Sequence, residues 1–272
     1  MISQQQWKPT VYSKTSDTRV MIAQEVLSAA NYTFHGNESV LDIGCGTGSI
    51  TAAIAKIVSK GSALGIDSSK NMVNDANLKY QDSNLQFITK DATNIPTISK
   101  KFDLVTSFAC LHWVPDQIAV LKGIEHALNS NGQAILMLYP KCEILWEALD
   151  SIINIAPWTQ HFDSFNDPYC FFNCNDYKEF IKQTSLRLIS IKYLEINIPN
   201  STKEKYKNLI TSWLPHLQVI PEKLHDQFMN ELLDQISQLF PKYNIKNFLN
   251  WPYPRIDIHL CKGSNIHSPV NC

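Results

Sequence analysis

VLDIGCGTG, at residues 40–48, is the stretch that decides the fold. A short apolar run ends there in three glycines, a pattern that predicts a strand, a tight turn and the start of a helix. At such a turn the backbone can approach a ligand closely, and the first N–H groups of the helix are free to donate hydrogen bonds. The turn therefore predicts a binding site, with an ordinary strand-to-helix turn as the alternative.

The spacing of the glycines narrows the kind of ligand. A dinucleotide-binding turn reads G-x-G-x-x-G and holds a pyrophosphate at the helix N-terminus. Here the glycines are Gly44, Gly46 and Gly48, so the third comes one position early and Ser49 stands in its place. Asp42 lies two residues before the first glycine, where its carboxylate would repel a pyrophosphate and attract a cation. The turn is therefore better suited to a cationic ligand.

Strands and helices are predicted to alternate around this turn. The strands are expected at Ser39–Ile43, Ser62–Asp67, Leu85–Thr89, Phe102–Phe108 and Gln133–Tyr139. The helices between them are expected at residues 49–58, Lys70–Tyr80 and Gln117–Leu128. Because this alternation is typical of a parallel sheet with right-handed crossovers, we predict an α/β core at residues 36–140.

The regions on either side of this core differ from it in character. Residues 18–34 carry apolar positions at helical spacing, so residues 1–35 are predicted to be an N-terminal helical segment that acts as a lid. Residues 141–262 are predicted to hold the remaining strands together with a helical cap. Residues 263–272 have no periodicity and are predicted to be a flexible tail.

The cap is expected to cover the edge of the sheet where the ligand binds. Its predicted parts are helical blocks at residues 141–185 and 201–250, and the remaining strands of the sheet are predicted at Arg187–Ile198 and Arg255–Cys261. In the first block, Asn175 or Asp176 is the expected N-cap of the second helix. The cap is rich in aromatic residues, some of which would line an apolar substrate pocket.

Composition excludes several classes of protein. The 272 residues carry 24 Lys+Arg and 25 Asp+Glu, a formal net charge of -1 that disfavours nucleic-acid binding through bulk charge. No apolar run approaches the roughly 20 residues of a membrane span, and the N-terminus lacks the pattern of a signal peptide. The seven cysteines form no Cys-x-x-Cys pair, which argues against a structural zinc site. We expect a cytoplasmic protein without a metal.

Acidic residues follow two further strands and suggest a nucleoside site. Asp67 comes 19 residues after Gly48, at the end of the second strand, a spacing typical of a carboxylate that accepts ribose hydroxyls. Its alternative role is that of a helix cap. The third strand ends at Lys90-Asp91-Ala92, where a carboxylate can accept a hydrogen bond from an exocyclic amine. With the glycine turn, these strand ends predict binding of a nucleoside.

The runs VLDIGCGTG, GIDSSKNM at 65–72 and KDA at 90–92 resemble class I S-adenosylmethionine-dependent methyltransferases. The resemblance implies a Rossmann-like, doubly wound, mostly parallel seven-stranded sheet whose last strand is antiparallel. It also implies S-adenosyl-L-methionine as the cofactor, with the three glycines along its methionine and ribose and Asp67 on the ribose hydroxyls. The other cofactor-binding residues implied are Asp42, Ser68, Met72, Asp91, Ala92 and Phe108.

A narrower resemblance concerns the reaction. Trp7-Lys-Pro9 with Tyr12 and Arg19, the run FDLVTSFACLHWVPDQ at 102–117, and Trp251-Pro-Tyr-Pro-Arg255 are similar to trans-aconitate and juvenile hormone acid methyltransferases. Both families esterify carboxylic acids. The central run is also shared in part with malonyl-carrier-protein methyltransferases. The resemblance implies a small-molecule substrate with a carboxyl group.

Three residues are candidates for the substrate side. His112 and Trp113 follow the fourth strand, where His112 would order a carboxylate or act as a base, unless it is a core or capping histidine. Arg255 opens the last strand and is expected at the rim of the active site, where its guanidinium would hold a carboxylate through two hydrogen bonds. Its alternative role is a surface ion pair. A carboxylate is ionised at neutral pH and needs no general base.

Three functional hypotheses remain open. The favoured one is an enzyme that converts a small-molecule carboxylic acid into its methyl ester. The second is a methyltransferase of another small nucleophile or of a carrier-protein-bound acyl group. The third is a noncatalytic protein that binds the cofactor. The scarcity of arginine and the aromatic cap favour a fatty or isoprenoid-like acid over a small tricarboxylate, while the oligomeric state stays open.

Overall fold

The computed structural model describes residues 7–198 and 201–263. Within these ranges seven strands form one sheet. They are β1 (Ser39–Ile43), β2 (Ser62–Asp67), β3 (Leu85–Thr89), β4 (Phe102–Phe108), β5 (Leu128–Leu138), β6 (Leu186–Asn197) and β7 (Pro252–Lys262). Their order is β3-β2-β1-β4-β5-β7-β6; β1 to β5 pair in parallel, and β7 is antiparallel to both of its neighbours. The predicted α/β class, Rossmann-like topology and antiparallel last strand are confirmed.

The helices connect these strands and build the cap. They are α1 (Pro9–Tyr12), α2 (Ser16–Ala29), α3 (Ser49–Ile57), α4 (Lys70–Lys79), α5 (Gln117–Ala127), α6 (Glu143–Ile153), α7 (Cys174–Ile181), α8 (Lys203–Thr211) and α9 (His225–Leu239). The strand order reverses between β1 and β4, because the chain runs outward from β1 to β3 and returns to β4 on the other side. Ligands of open α/β sheets bind at such a point, outside the carboxyl ends of the strands.

β1 lies near the middle of the sheet, and its sequence explains why. Val40, Leu41 and Ile43 are fully buried, since helices cover both faces of this strand. An apolar run without alternation is typical of a strand in this position. The strand therefore fixes the glycine turn that follows it at the centre of the carboxyl edge.

The start of β5 differs from the prediction. The strand begins at Leu128 rather than Gln133, because Leu128 pairs with Phe102 of β4 before an irregularity in the register. Helix α5 correspondingly ends one residue earlier than expected, at Ala127. The intervening residues 129–132 are polar or glycine, so their pairing has no hydrophobic signal in the sequence.

The start of β7 differs as well, since the strand begins at Pro252. β5 ends at Leu138, opposite Ile256, so the two prolines at 252 and 254 pair with β6 alone. Proline has no backbone N–H to donate to a neighbouring strand, which confines it to such edge positions. The prolines therefore mark the place where β7 extends past the parallel strands.

The cap has a hydrophobic core of its own. Helices α6, α8 and α9 and the start of β7 contribute to it, and Trp158, Phe228 and Trp251 are among its buried members. The indole Nε1 of Trp158 donates a hydrogen bond to Glu231 at 2.6 Å. Because Tyr139 packs against this cluster and against the cluster beneath α2, the cap contacts the sheet at the end of β5.

Helix α7 begins with a capping box. Asn173 Oδ1 accepts hydrogen bonds from the backbone N–H groups of Asn175 and Asp176, and Asp176 Oδ2 accepts one from Asn173 N. The prediction of Asn175 or Asp176 as the N-cap was therefore wrong. Asp176 is instead the third helical residue of the box, and this is why an acidic residue stands there.

Two predicted segments fall partly outside the described residues. The flexible tail lies beyond them except for Gly263, and the N-terminal lid lacks residues 1–6. The described part of the lid consists of α1, a short 3₁₀ turn and α2. Among the described helices none has both the length and the apolar character needed to cross a membrane.

Candidate active site

The glycine turn between β1 and α3 has a backbone conformation that residues other than glycine would adopt only with strain. Gly44 has φ +74°, and a Cβ there would lie 2.3 Å from the Cys110 sulfur. The N–H groups of Gly44 and Cys45 donate to the carbonyl of Ile66 on β2 at 2.8 and 3.0 Å. The turn is thus held against β2 and against the segment after β4, and it has no room for a side chain at Gly44.

A cavity of about 390 Å³ lies beside this turn, and we call it the cofactor cavity. Its walls are the carboxyl ends of β1 to β4 together with Trp7 and Tyr12 of the N-terminal segment. Seven predicted cofactor residues line it: Gly44, Gly46, Asp67, Ser68, Met72, Asp91 and Ala92. The structure therefore brings most of the predicted site together, while contact of each residue with the cofactor stays a prediction.

Asp67 is fixed by the backbone around it. Its Oδ2 accepts a hydrogen bond from Gly46 N at 2.9 Å, and its Oδ1 accepts one from Ser69 N at 2.8 Å. Burial raises the pKa of this carboxyl, and the two backbone donors lower it in part. Each oxygen keeps a further lone pair, so Asp67 can accept two hydroxyl groups without giving up its present bonds.

Asp91 and Ala92 follow β3, which pairs in parallel with β2. Asp91 Oδ1 accepts hydrogen bonds from the N–H and the hydroxyl of Thr93, at 2.8 and 2.6 Å, and so caps a 3₁₀ turn. Ala92 is buried in the cavity wall. The carboxylates at the ends of β2 and β3 therefore face the same cavity, because parallel strands end at the same edge of the sheet.

Two predicted cofactor residues lie behind the wall instead. Asp42 is buried, and its carboxylate accepts hydrogen bonds from the hydroxyls of Thr51 and Thr106 at 2.6 and 2.9 Å. Burial raises its pKa to about 6. Gly48 is the N-cap of α3 and packs toward Phe87. Neither is among the residues that line the cavity, and their contact with the cofactor stays a prediction.

Phe108 is the third predicted cofactor residue that the structure places elsewhere. It lines a small inner cavity of about 60 Å³ on the other side of Tyr12. The residues around this inner cavity are mostly aromatic or aliphatic: Trp7, Tyr12, Thr18, Arg19, Ile22, Ile50, Phe108, Ala109, His112, Trp113, Met137, Tyr139, Tyr169, Ile196, Ile198, Leu209, Trp213 and Tyr253. Trp7, Tyr12, Ala109 and Trp113 also line the cofactor cavity, so the two cavities share a wall.

His112 lines the inner cavity, and Trp113 lines both cavities. His112 is buried, its ring stacks on Tyr169 at 4.8 Å, and its Nδ1 accepts a hydrogen bond from Tyr139 N at 3.3 Å. That bond leaves the proton on Nε2. Burial lowers the pKa of His112 to about 3, so the ring is neutral and is a poor base near pH 7. Trp113 packs edge-on against Trp7 at 5.5 Å and closes the shared wall.

Arg19 supplies the cation of the inner cavity. Its guanidinium carbon lies 3.4 Å from the centre of the Tyr12 ring, Nη1 donates to the Tyr12 carbonyl at 2.6 Å, and Nη2 donates to Ser212 Oγ at 2.9 Å. Sequence reasoning quoted Arg19 in a motif but gave it no role. Its hydrogen-bond partner Ser212 is 193 residues away in the chain, so no local sequence pattern indicates a role for Arg19.

Arg255 lies elsewhere, although β7 begins at the expected edge. Its side chain is 1% exposed, and Nη2 donates to Glu25 of α2 at 3.0 Å and to Asp257 at 2.9 Å. Nε is 2.9 Å from the other Asp257 oxygen, an ion pair without hydrogen-bond alignment. Arg255 lines neither cavity, so the expectation of an arginine at the rim is not met. The alternation of β7 turns its side chain toward α2 and two carboxylates.

Comparison with known proteins identifies the family. A family model described as a methyltransferase domain matches residues 40–132, which span β1 to β4 and the glycine turn. A demethylmenaquinone methyltransferase of Lactobacillus johnsonii is 30% identical over 181 residues, which are 64% of this chain and 70% of that protein. The chain belongs to the S-adenosylmethionine-dependent methyltransferases.

Two further comparisons extend over most of the methyltransferase. Juvenile hormone acid O-methyltransferase of Drosophila melanogaster is 25% identical over 235 residues, 80% of this chain and 77% of that protein. A solved structure of Haemonchus contortus phosphoethanolamine N-methyltransferase 2 in complex with S-adenosyl-L-methionine has a TM-score of 0.60 at 16% identity, covering 90% of this chain and 53% of that one. The second likeness concerns the fold alone.

The cofactor cavity of the methyltransferase fits S-adenosylmethionine chemically. Asp67, Asp91 and Asp116 line it against a single lysine, Lys90, which suits a cationic sulfonium. Met72 is 1% exposed and provides apolar surface for a nucleobase. Among the described residues, no three His, Cys, Asp or Glu side chains are arranged to hold a metal ion.

Proposed function

We propose that this methyltransferase esterifies small-molecule carboxylic acids. When bound, S-adenosylmethionine supplies an electrophilic methyl group. A carboxylate oxygen of the substrate forms the new C–O bond, the methyl–sulfur bond breaks, and its electron pair stays on sulfur. The products are a methyl ester and S-adenosylhomocysteine, and no proton has to be removed.

The observation that carries this proposal is a guanidinium in a cavity whose walls are mostly aromatic or aliphatic. Arg19 has five N–H donors, of which the Tyr12 carbonyl and Ser212 use two. The remaining donors can bind a carboxylate in the inner cavity beside Tyr12, whose ring lines both cavities. Holding the two reactants in line and in contact is the main requirement of such a transfer.

The titratable groups of the inner cavity also favour a nucleophile that is already ionised. Burial keeps His112 neutral and raises the pKa of Tyr139 to about 12. It likewise raises the pKa values of Tyr169 and Tyr253 well above their usual range. These groups are hydrogen-bond donors at neutral pH and poor bases, whereas an amine or alcohol substrate would need a base. A carboxylate does not, because it is ionised above about pH 4.

The aromatic walls would contribute by excluding water. Rings of Trp7, Trp113 and Trp213 lie next to one another at 5.5 and 6.2 Å. In a site without water, the attraction between Arg19 and a carboxylate is stronger than in solvent. The name of the Drosophila relative, a juvenile hormone acid O-methyltransferase, supports the same class of nucleophile.

The proposal is tested with methyl-labelled S-adenosylmethionine and a panel of carboxylic acids. We expect label in an extractable product that mild alkali releases as methanol, since esters hydrolyse under these conditions. Label that remains in the product after alkali treatment would assign the enzyme to another nucleophile. The matching amides and alcohols serve as controls and should accept no label.

A further inference from the structure

The inner cavity is too small for a whole substrate. Its volume of about 60 Å³ lies well below the roughly 300–1,000 Å³ that ligand pockets commonly measure. It can hold the carboxyl end of an acid. The rest of any larger acid has to lie in another part of the molecule.

A larger groove lies directly behind the inner cavity, between α1 and the cap. It measures about 690 Å³ and lies between α1 on one side and α8, the following turn and the start of α9 on the other. Trp7 and Trp213 line both the groove and the inner cavity. Ser212, which accepts the hydrogen bond from Arg19, is also part of the groove wall. The two spaces are therefore separated by two indole rings and one hydrogen bond.

The floor and the rim of this groove differ in polarity. Its floor includes Val11, Leu214, Leu217, Ile220 and Met229, of which the last four are buried. The rim carries three lysines and three carboxylates, and these balance in charge: Lys8, Lys14, Lys207, Glu204, Glu222 and Asp226. Lys8 contacts Glu222 at 3.4 Å and thereby joins α1 to the cap. An apolar floor beneath a charge-balanced rim suits an uncharged chain better than a second anionic group.

We propose that this outer groove is the second part of the substrate site and binds the apolar chain of the acid. The proposal rests on the proposed function, because Arg19 orients the chain by holding its carboxylate at the inner end. The chain passes between Trp7 and Trp213, and its far end lies against the floor between α1 and the cap. Substrates are then acids with an extended apolar chain, since the balanced rim offers no net positive charge to a second carboxylate.

Straight-chain acids from butanoate to decanoate test this arrangement. Their affinities are measured by calorimetry on the enzyme saturated with S-adenosylhomocysteine, so that no turnover is needed. Each methylene that enters the groove should tighten binding up to about fourfold, equivalent to about 0.8 kcal/mol. We expect decanoate to bind at least thirtyfold more tightly than butanoate. Equal affinities across the series would overturn the proposal.

Variants of α8 test whether the gain in affinity with chain length arises in the groove. Asn208 is exposed on the groove wall, so Asn208→Trp should fill the groove and lower the decanoate-to-butanoate affinity ratio at least tenfold. Thr211→Trp, at the end of the same helix, is a second filling variant with the same expectation. Gln238→Trp adds the same ring to an exposed position of α9 away from the groove and should leave the ratio unchanged. Unchanged ratios in both filling variants would place the chain elsewhere.

The outcomes separate the groove from the proposed reaction. If decanoate binds as expected but no acid yields an ester, the proposed function is wrong and the groove is a binding site for apolar acids. If butanoate is esterified and decanoate gains nothing in affinity, the proposed function stands and the groove proposal is wrong. An acid of decanoate's length with amide groups along its chain is the remaining comparison. Binding as tight as that of decanoate would contradict an apolar chain.

Discussion

The two cavities of this methyltransferase share a wall but are built in different ways. Apart from Trp7 and Tyr12, the cofactor cavity is lined by residues between Ile43 and Asp116, at the ends of four successive strands. The inner cavity takes its walls from segments scattered between Trp7 and Tyr253. The first is therefore encoded in short motifs at fixed spacing, and the second depends on how distant segments pack.

The difference extends to the kind of contact. In the cofactor cavity, backbone N–H groups hold Asp67 in place, and these bonds follow from local turn geometry. In the inner cavity, Arg19 is held by a serine of the cap, and the rings of three tryptophans from three segments lie together. Mutations in one cavity should therefore leave the other largely intact, and this separation can be measured.

The largest expected effect is that of Gly44→Ala on the cofactor side. Alanine at this position would have to adopt a positive φ, and its methyl group would lie 2.3 Å from the Cys110 sulfur. Strain and overpacking together should lower the free energy of unfolding by about 2–4 kcal/mol. Binding of S-adenosylmethionine should become undetectable by calorimetry.

Gly36→Ala is the matched control for this variant. Gly36 also has a positive φ, +89°, but its Cβ would meet nothing closer than the Ile57 carbonyl at 3.7 Å. It should share the backbone strain, unfold at a higher temperature than Gly44→Ala and bind the cofactor normally. Equal losses of stability and binding in the two variants would show that the close approach to Cys110 is unimportant.

The next effect in size is that of Asp67→Ala on cofactor affinity. The substitution removes an acceptor for ribose hydroxyls and leaves Gly46 N and Ser69 N without their partner. We expect binding of S-adenosylmethionine to weaken by roughly 1–3 kcal/mol. Asp82→Ala, at an exposed loop position, is the control and should bind like the wild type. Equal affinities of all three proteins would remove Asp67 from the site.

On the substrate side, Arg19→Gln should raise the KM for an identified acid about tenfold, equivalent to about 1.4 kcal/mol. Glutamine keeps a donor but loses the charge and the paired N–H groups of the guanidinium. Affinity for the cofactor, measured by calorimetry, should stay within twofold of wild type. Arg255→Lys is the matched arginine variant and should lower the unfolding temperature with little change in KM. The reverse pattern would return the carboxylate-binding role to Arg255.

His216 of the cap should make the protein less stable at acidic pH. This ring is buried among Trp146, Phe162 and Phe165, and burial lowers its pKa to about 3. Between about pH 6.5 and pH 3 the unfolded chain binds a proton that the folded chain does not. His216 therefore lowers the free energy of unfolding by up to about 1.4 kcal/mol for each unit by which the pH is lowered.

His216→Phe should reduce that slope by the contribution of one proton, measured by urea denaturation between pH 6.5 and pH 4.5. His126→Phe changes an exposed histidine of α5 and is the control. An unchanged slope in the His216 variant would contradict a neutral, buried ring.

A further effect on stability has the opposite sign and lies on the cofactor side. Burial raises the pKa of Asp42 to about 6, so the folded chain holds a proton that the unfolded chain loses above about pH 4. The contribution of this group to stability is therefore present at low pH and is lost as pH rises toward 6. Asp42→Asn should remove the dependence, and urea denaturation at pH 4.5 and pH 6.5 measures it. A dependence equal to that of the wild type would contradict the raised pKa.

The strands of the core were predicted closely because their signals are local. β1, β2, β3 and β4 have the predicted bounds, since the apolar residues of each lie close together in the chain. β5 and β7 begin earlier than predicted. Most of their additional residues are polar, glycine or proline, and only the register with β4 and β6 brings them into the sheet.

The sequence by itself determined the α/β class, the mostly parallel seven-stranded sheet that the family resemblance implies, and the cluster of glycines and carboxylates at the cofactor cavity. These depend on hydrophobic periodicity and on residues close together in the chain. Tertiary structure alone decided which arginine faces the inner cavity, that Asp42 and Gly48 lie behind the wall of the cofactor cavity, and that Phe108 lines the inner cavity. The physical reason is that a side chain's direction depends on partners from distant segments, such as Ser212 for Arg19 and Glu25 for Arg255, and no spacing in the sequence records them.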